Sequence, residues 1–216
     1  PMSYQSESNL LILHALRIRG FVQLSEIVIS TGLKVEEVES HLDSFKENNL
    51  VNYREGRIEG WMLTQEGRGR SQQLVTSELE SSGFREEINS NYQDFLSSNQ
   101  KFLSLCTDWQ LRTVNGEQEI NDHSDTAYDE EVIARLVDIN GEIQPVCESL
   151  ADSLNRFEGY SGRFSEALYK VQNNEPEWFT KPMIDSYHTI WFELHENLLV
   201  TLGIERTKET DGNNDE

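Results

Sequence analysis

The chain has 216 residues, with 36% hydrophobic and 9% aromatic residues, which is enough apolar matter for a buried core and argues against global disorder. It carries 39 acidic and 18 basic residues, a formal net charge of -21. That balance excludes a protein that gathers nucleic acid by bulk positive charge, and it disfavours docking on anionic membranes.

Cys106 and Cys147 stand alone, with no CxxC and no histidine at metal-ligand spacing, so two reduced cysteines in a cytoplasmic protein are expected. No run approaches the ~18 apolar residues needed to span a bilayer. Residues 1–9 lack a basic stretch followed by an apolar core, so no secretion signal is expected. The charge is uneven: residues 1–75 hold eight Lys/Arg and ten Asp/Glu, residues 76–216 hold ten and 29. This shift, with Ser71, Ser77, Ser81, Ser82 and Gly83 clustered there, places a domain boundary near residues 70–84.

In chain order, Ser8 is positioned to cap a first helix with the apolar stripe Leu10, Leu11, Leu13, Leu16 and Ile18, stopped by Gly20. Residues 24–31 form a short second helix, and Gly32 supplies a turn. Residues 34–48 form a third helix, ended by Asn49. Residues 51–54 and 58–63 read as strands joined at Glu55-Gly56, and Thr64 begins another helix.

Helix, helix, glycine turn, helix and hairpin is the order of a winged helix-turn-helix. The stretch from Leu24 through the hairpin resembles MarR-type and related winged-helix regulators. Gly60-Trp61-Met62-Leu63-Thr64-Gln65-Glu66-Gly67-Arg68 resembles their second wing strand running into "LTxxGR". The resemblance covers about a third of the chain and implies a DNA-binding transcriptional regulator.

Beyond residue 75 the pattern is helical throughout. Ile88, Tyr92, Phe95, Leu96, Phe102, Leu103 and Cys106 form one face. Val132, Ile133, Leu136, Ile143, Val146, Leu150 and Leu154 form a second, with a bend expected at Pro145. Phe164, Ala167, Leu168 and Val171 mark a third helix. Ile184, Tyr187, Trp191, Leu194, Leu198 and Leu202 mark a fourth, closed by Gly203. The runs 106–112, 121–125 and 186–196 resemble a helical region found behind winged-helix segments in uncharacterised actinobacterial proteins, some linked to phosphoenolpyruvate-utilising enzymes.

Chemistry-bearing residues are few. His188 and His195 share a helix face with Trp191, and His123, Asp122 and Asp185 are candidates to join them. Three histidines and an aspartate resemble the ligand set of metal-binding FadR-type regulators, but their Asp-x3-His spacing is absent and no metal is assigned. Asp108, Trp109 and Arg112 end an apolar helix, where Arg112 is suited to an anionic ligand or to a nearby carboxylate. There is no GxSxG, P-loop, GxGxxG or HExxH, so neither an enzyme nor a cofactor is expected.

The third helix is read with Val35, Val38, Leu42 and Phe45 inward. Glu36, Glu37, Ser40, Asp43, Ser44 and Glu47 then face outward, four of the six acidic. The winged-helix pattern argues for DNA, and this charge argues against it. The expected architecture is mainly α with a small β-hairpin wing. It comprises a winged helix-turn-helix domain (1–75), an acidic all-helical bundle (76–207) and a disordered tail (208–216). The expected function is a dimeric transcriptional regulator that contacts DNA through Lys34, Ser40, His41, Ser44, Arg54 and Arg57. Its candidate ligand-binding residues are Asp108, Trp109, Arg112, His123, His188 and His195. The alternative is a winged-helix interaction module that regulates a protein partner such as a metabolic enzyme and binds no DNA.

Overall fold

A computed structural model describes residues 2–212 and is mainly α with a small antiparallel sheet. It divides into two units. The first takes in Pro1–Ile88, Ser153–Arg156 and Glu196–Glu216; the second takes in Asn89–Asp152 and Phe157–His195.

The first unit opens with α1 (Ser8–Arg19), β1 (Phe21–Val22), α2 (Leu24–Thr31), α3 (Val35–Glu47), β2 (Val51–Arg54), β3 (Gly60–Leu63) and α4 (Gln65–Ser82). The sheet order is β1-β3-β2, all antiparallel, with Phe21 opposite Met62 and Tyr53 opposite Trp61. This is the element order and sheet of a winged helix-turn-helix. Ile12, Leu13, Leu16, Val22, Ile27, Val38, Leu42, Phe45 and Val51 form its buried core. Gly20 (φ 82°) and Gly32 (φ 69°) terminate α1 and α2 in backbone conformations that side chains resist, as expected from their positions.

Two local expectations change. Ser8 does not cap α1: Glu7 holds the N-cap position, and the Ser8 hydroxyl instead donates to Glu37 Oε1 at 2.7 Å. Val35 is not part of the inward stripe but is 42% exposed, because it begins α3, ahead of the first buried turn.

The "LTxxGR" residues have a structural reason. Thr64 caps α4 by accepting from Gly67 N (2.9 Å) and donates its hydroxyl proton to Asn49 O (2.6 Å). A Cβ on Gly67 would lie 1.9 Å from Leu50 O, so only glycine lets the first turn of α4 approach the chain that leaves α3.

The serine cluster at residues 71–82 lies within α4, with Gly83 (φ 75°) as its C-cap, so the helix runs through residue 75 without a linker. α4 packs on α1, and Val75 and Leu79 of α4 are buried. The units therefore divide the chain differently from 1–75 and 76–207.

The second unit is built from α5 (Arg85–Gln110, from Asn89 onward), α6 (Thr126–Ser153, to Asp152), α7 (Tyr160–Gln172), α8 (Glu177–Thr180) and α9 (Tyr187–Leu202, to His195). It is not all helical. A two-stranded hairpin, β4 (Leu111–Val114) and β5 (Glu117–Ile120), follows α5, with Leu111 opposite Ile120. Asn115 (φ 52°) and Gly116 (φ 84°) make its turn. α6 continues as helix through Pro145. Phe95, Phe102, Leu136, Ile143, Phe164, Phe179, Tyr187 and Ile190 are fully buried. Of the tail expected at 208–216, residues up to Gly212 belong to α10 (Arg206–Gly212), and 213–216 lie outside the described residues. Among the described residues no helix is long and apolar enough to cross a membrane.

Candidate functional site

α3 buries Val38, Leu42 and Phe45 and leaves Glu36, Glu37, Glu39, Ser40, Asp43, Ser44, Lys46 and Glu47 exposed. Lys34 occupies the N-cap position and is exposed; Arg54 ends β2 and Arg57 lies in the wing turn, both exposed. Across the hairpin the Tyr53 hydroxyl donates to Glu59 Oε2 (3.1 Å), and the Tyr53 and Trp61 rings lie 4.9 Å apart. Among the described residues, Lys34, Arg54 and Arg57 take part in no ion pair, which leaves their charges available to an outside anion. His41 differs from the other five expected DNA contacts. It is only half-exposed, and its ring stacks on Phe45 at 5.7 Å, where it shields the core edge.

The six candidate ligand-binding residues fall into two groups. Asp108, Trp109, Arg112 and His123 converge where α5 meets the hairpin and the loop before α6. The indole of Trp109, 4% exposed, is flanked by His123 at 4.4 Å and Phe179 at 4.7 Å. Arg112 donates to Asp125 Oδ2 (2.8 Å), and its guanidinium lies 4.5 Å from the Tyr128 ring centre. Asp108 accepts from Arg135 Nη1 (2.8 Å). So the carboxylate reading of Arg112 holds in the structure, and Asp108 is likewise paired.

Asn121 organises this end. Its amide donates to Trp109 O and to Asp129 Oδ1, both at 2.9 Å, while Asp129 Oδ2 holds His123 Nδ1 at 2.9 Å. The Tyr128 hydroxyl donates to Asp108 O (2.5 Å). Two aspartates beside it are held below the usual carboxylate range: Asp125 by the Tyr128 N–H and then Arg112, Asp122 by the hydroxyl and N–H of Ser124. His123 itself has φ 61°, a left-handed conformation that imidazole residues tolerate better than most. Chemically this is an oriented imidazole on an aromatic bed, pinned by an aspartate and an asparagine. Asn121 belongs to the run 121–125, and its spacing carries no signal that its amide reaches back to Trp109 O.

His188 and His195 do not join that group. Both lie on α9, His188 against Phe102 (6.2 Å) and His195, 7% exposed, against Phe95 (5.0 Å). Burial lowers the His188 pKa. Asp185 pairs instead with Arg163, which grips it through two nitrogens (3.0 and 2.6 Å) and also holds Glu193. Among the described residues no group of three or more His, Cys, Asp or Glu could hold a metal ion. Cys106 and Cys147 are free and buried, with their thiols pushed up to about 12 by burial. They are poor nucleophiles at neutral pH.

Comparison with models of protein families, with curated proteins and with solved structures finds no match to this chain.

Proposed function

We propose that the chain is a transcriptional regulator that binds double-stranded DNA through its winged-helix unit, and that the second unit serves dimerisation or effector sensing. The observation that carries the reading is the winged-helix sheet, β1-β3-β2, with an exposed α3 and an exposed hairpin bearing Arg54 and Arg57. In that arrangement α3 enters the major groove and the wing lies along the backbone. Lys34, Arg54 and Arg57 supply phosphate contacts, and Ser40 and Ser44 supply hydroxyls to base edges or phosphates.

A second reading is favoured by one observation. Glu36, Glu37, Glu39, Asp43 and Glu47 are all exposed on α3, and phosphates repel them. On that reading the unit recognises a basic protein surface and no DNA. Selection of genomic fragments on the purified full chain separates the two. An enriched sequence, lost on combining Arg54→Ala with Arg57→Ala, supports the regulator. A flat profile from folded protein removes it, and a partner released by Glu36→Lys with Glu37→Lys then supports the interaction module.

A further inference from the structure

Four segments of the first unit meet at one buried polar network. Arg156, on the 3-10 turn Asn155–Phe157, has a side chain only 2% exposed and pairs with Glu78 of α4, 4% exposed. Its Nε donates to Glu78 Oε1 (2.9 Å), its Nη1 to Asn197 Oδ1 (2.8 Å) and its Nη2 to Thr201 Oγ1 (2.8 Å). His14 of α1 completes the group: its Nε2 lies 2.8 Å from Asn197 Oδ1 and 3.0 Å from Arg156 Nη1. Asn197 Oδ1 already accepts from Arg156 and from Thr201 (3.2 Å). Because that oxygen can only accept, the tautomer that makes the 2.8 Å bond carries its proton on Nε2, and the 3.0 Å approach of Arg156 Nη1 is then a contact between two donors and not a hydrogen bond. His14 Nδ1 is buried with no partner.

We propose that this network is an acid-sensitive latch on the winged-helix unit, closed while His14 is neutral and opened when Nδ1 takes a proton. A proton on Nδ1 would bury an N–H with no acceptor and set a positive ring against the Arg156 guanidinium. The charged groups around it give no relief. On α1, Arg17 adds a second positive charge. On α4, Glu78 is committed to Arg156. From α9, Asn197 and Thr201 are neutral, and Glu196 pairs with Arg17 at 3.6 Å. Burial first, and then the Arg156 charge, hold the imidazole well below its ordinary range.

The sign follows from linkage. The folded-state pKa is depressed, so the opened chain binds the proton first. The stabilisation is complete above the ordinary imidazole pKa of about 6.5 and is lost as pH falls below it. The inference does not depend on what α3 binds.

Native-state hydrogen exchange on the full chain, corrected for intrinsic rates, tests it between about pH 7.5 and 5.5. The opened population of α1 and α4 should rise about tenfold in the native protein and by no more than about twofold in His14→Gln, whose amide donates but does not titrate. An equal rise in both, or none in the native chain, overturns the latch. If His14→Gln does not fold, the ring resonance of His14 in the native protein decides. It should stay flat down to about pH 5.5, and a midpoint near 6.5 overturns the proposal.

Discussion

Leu50 O lies where a methyl group on Gly67 would have to go, at 1.9 Å from an ideal Cβ, and backbone cannot yield as a flexible side chain can. Gly67→Ala should therefore destabilise the first unit by about 3 kcal/mol, as overpacking against a fixed wall does. Urea unfolding checks this, and a neutral result would mean that α4 does not approach Leu50 so closely. At Glu78 the reasoning concerns charge. Both partners of the Glu78–Arg156 pair are almost fully buried, so Glu78→Gln leaves a guanidinium without its counter-charge and should cost about 3–5 kcal/mol. Replacing the pair together, Glu78→Leu with Arg156→Met, should cost less than the two single changes summed, because neither charge is then stranded. Additive losses in the same assay would show that the pair is not coupled.

Among the elements, α4 and the β4–β5 hairpin depend most on single side chains. Thr64→Val removes both the α4 cap and the bond to Asn49 O, and should cost about 1–2 kcal/mol in thermal or urea unfolding. The hairpin has only two strands, with every side chain of β5 exposed, and such hairpins are marginal alone. Asn121 is the residue that ties its end to Trp109 O and Asp129. In Asn121→Ala, hydrogen exchange should quicken across Leu111–Ile120 while α1 and α4 keep their protection. Unchanged exchange in the hairpin would assign its order to the Tyr128 hydroxyl, which donates to Leu111 O (3.2 Å).

For the whole molecule, charge and surface set the expectations. Among the described residues Lys34, Arg54 and Arg57, the cations proposed to meet phosphate, take part in no ion pair, in a chain with net charge -21. On the proposed regulator reading each phosphate contact contributes about 0.9 to the salt slope, so each chain should show a slope near 3 on a specific DNA site, falling by about 2 in Arg54→Ala with Arg57→Ala. A slope unchanged by those substitutions would place the contacts elsewhere. The apolar stripes that suggest a dimer face, Ile88 to Cys106 and Ile184 to Leu202, are mostly spent within the units, with Leu103 exposed and Ile184 and Leu202 half-buried. Ile88, Tyr92, Phe95, Phe102, Tyr187, Trp191, Leu194 and Leu198 are all buried. A stripe is equally consistent with packing inside one chain and between two, and periodicity does not distinguish them. Of the first stripe only Leu103 is left exposed, and Val137 of α6 is exposed as well.

What the amino-acid order determines by itself is local. α2 at Leu24–Thr31, β2 at Val51–Arg54, the glycine turns at Gly20 and Gly32 and the Thr64 start of α4 all follow from periodicity and punctuation, which act over a few residues. The exposed positions of Ser40, Ser44, Arg54 and Arg57 follow from the same rule. What only the tertiary structure decides involves partners far apart in the chain. Phe45 claims the ring of His41, Asp129 claims His123, and Arg163 claims Asp185 away from the histidines. Above all, His14, Glu78, Arg156 and Asn197 form one network across 183 residues of sequence. Each is an ordinary polar residue in its own helix, and its role exists only because packing has removed the water that would otherwise solvate it.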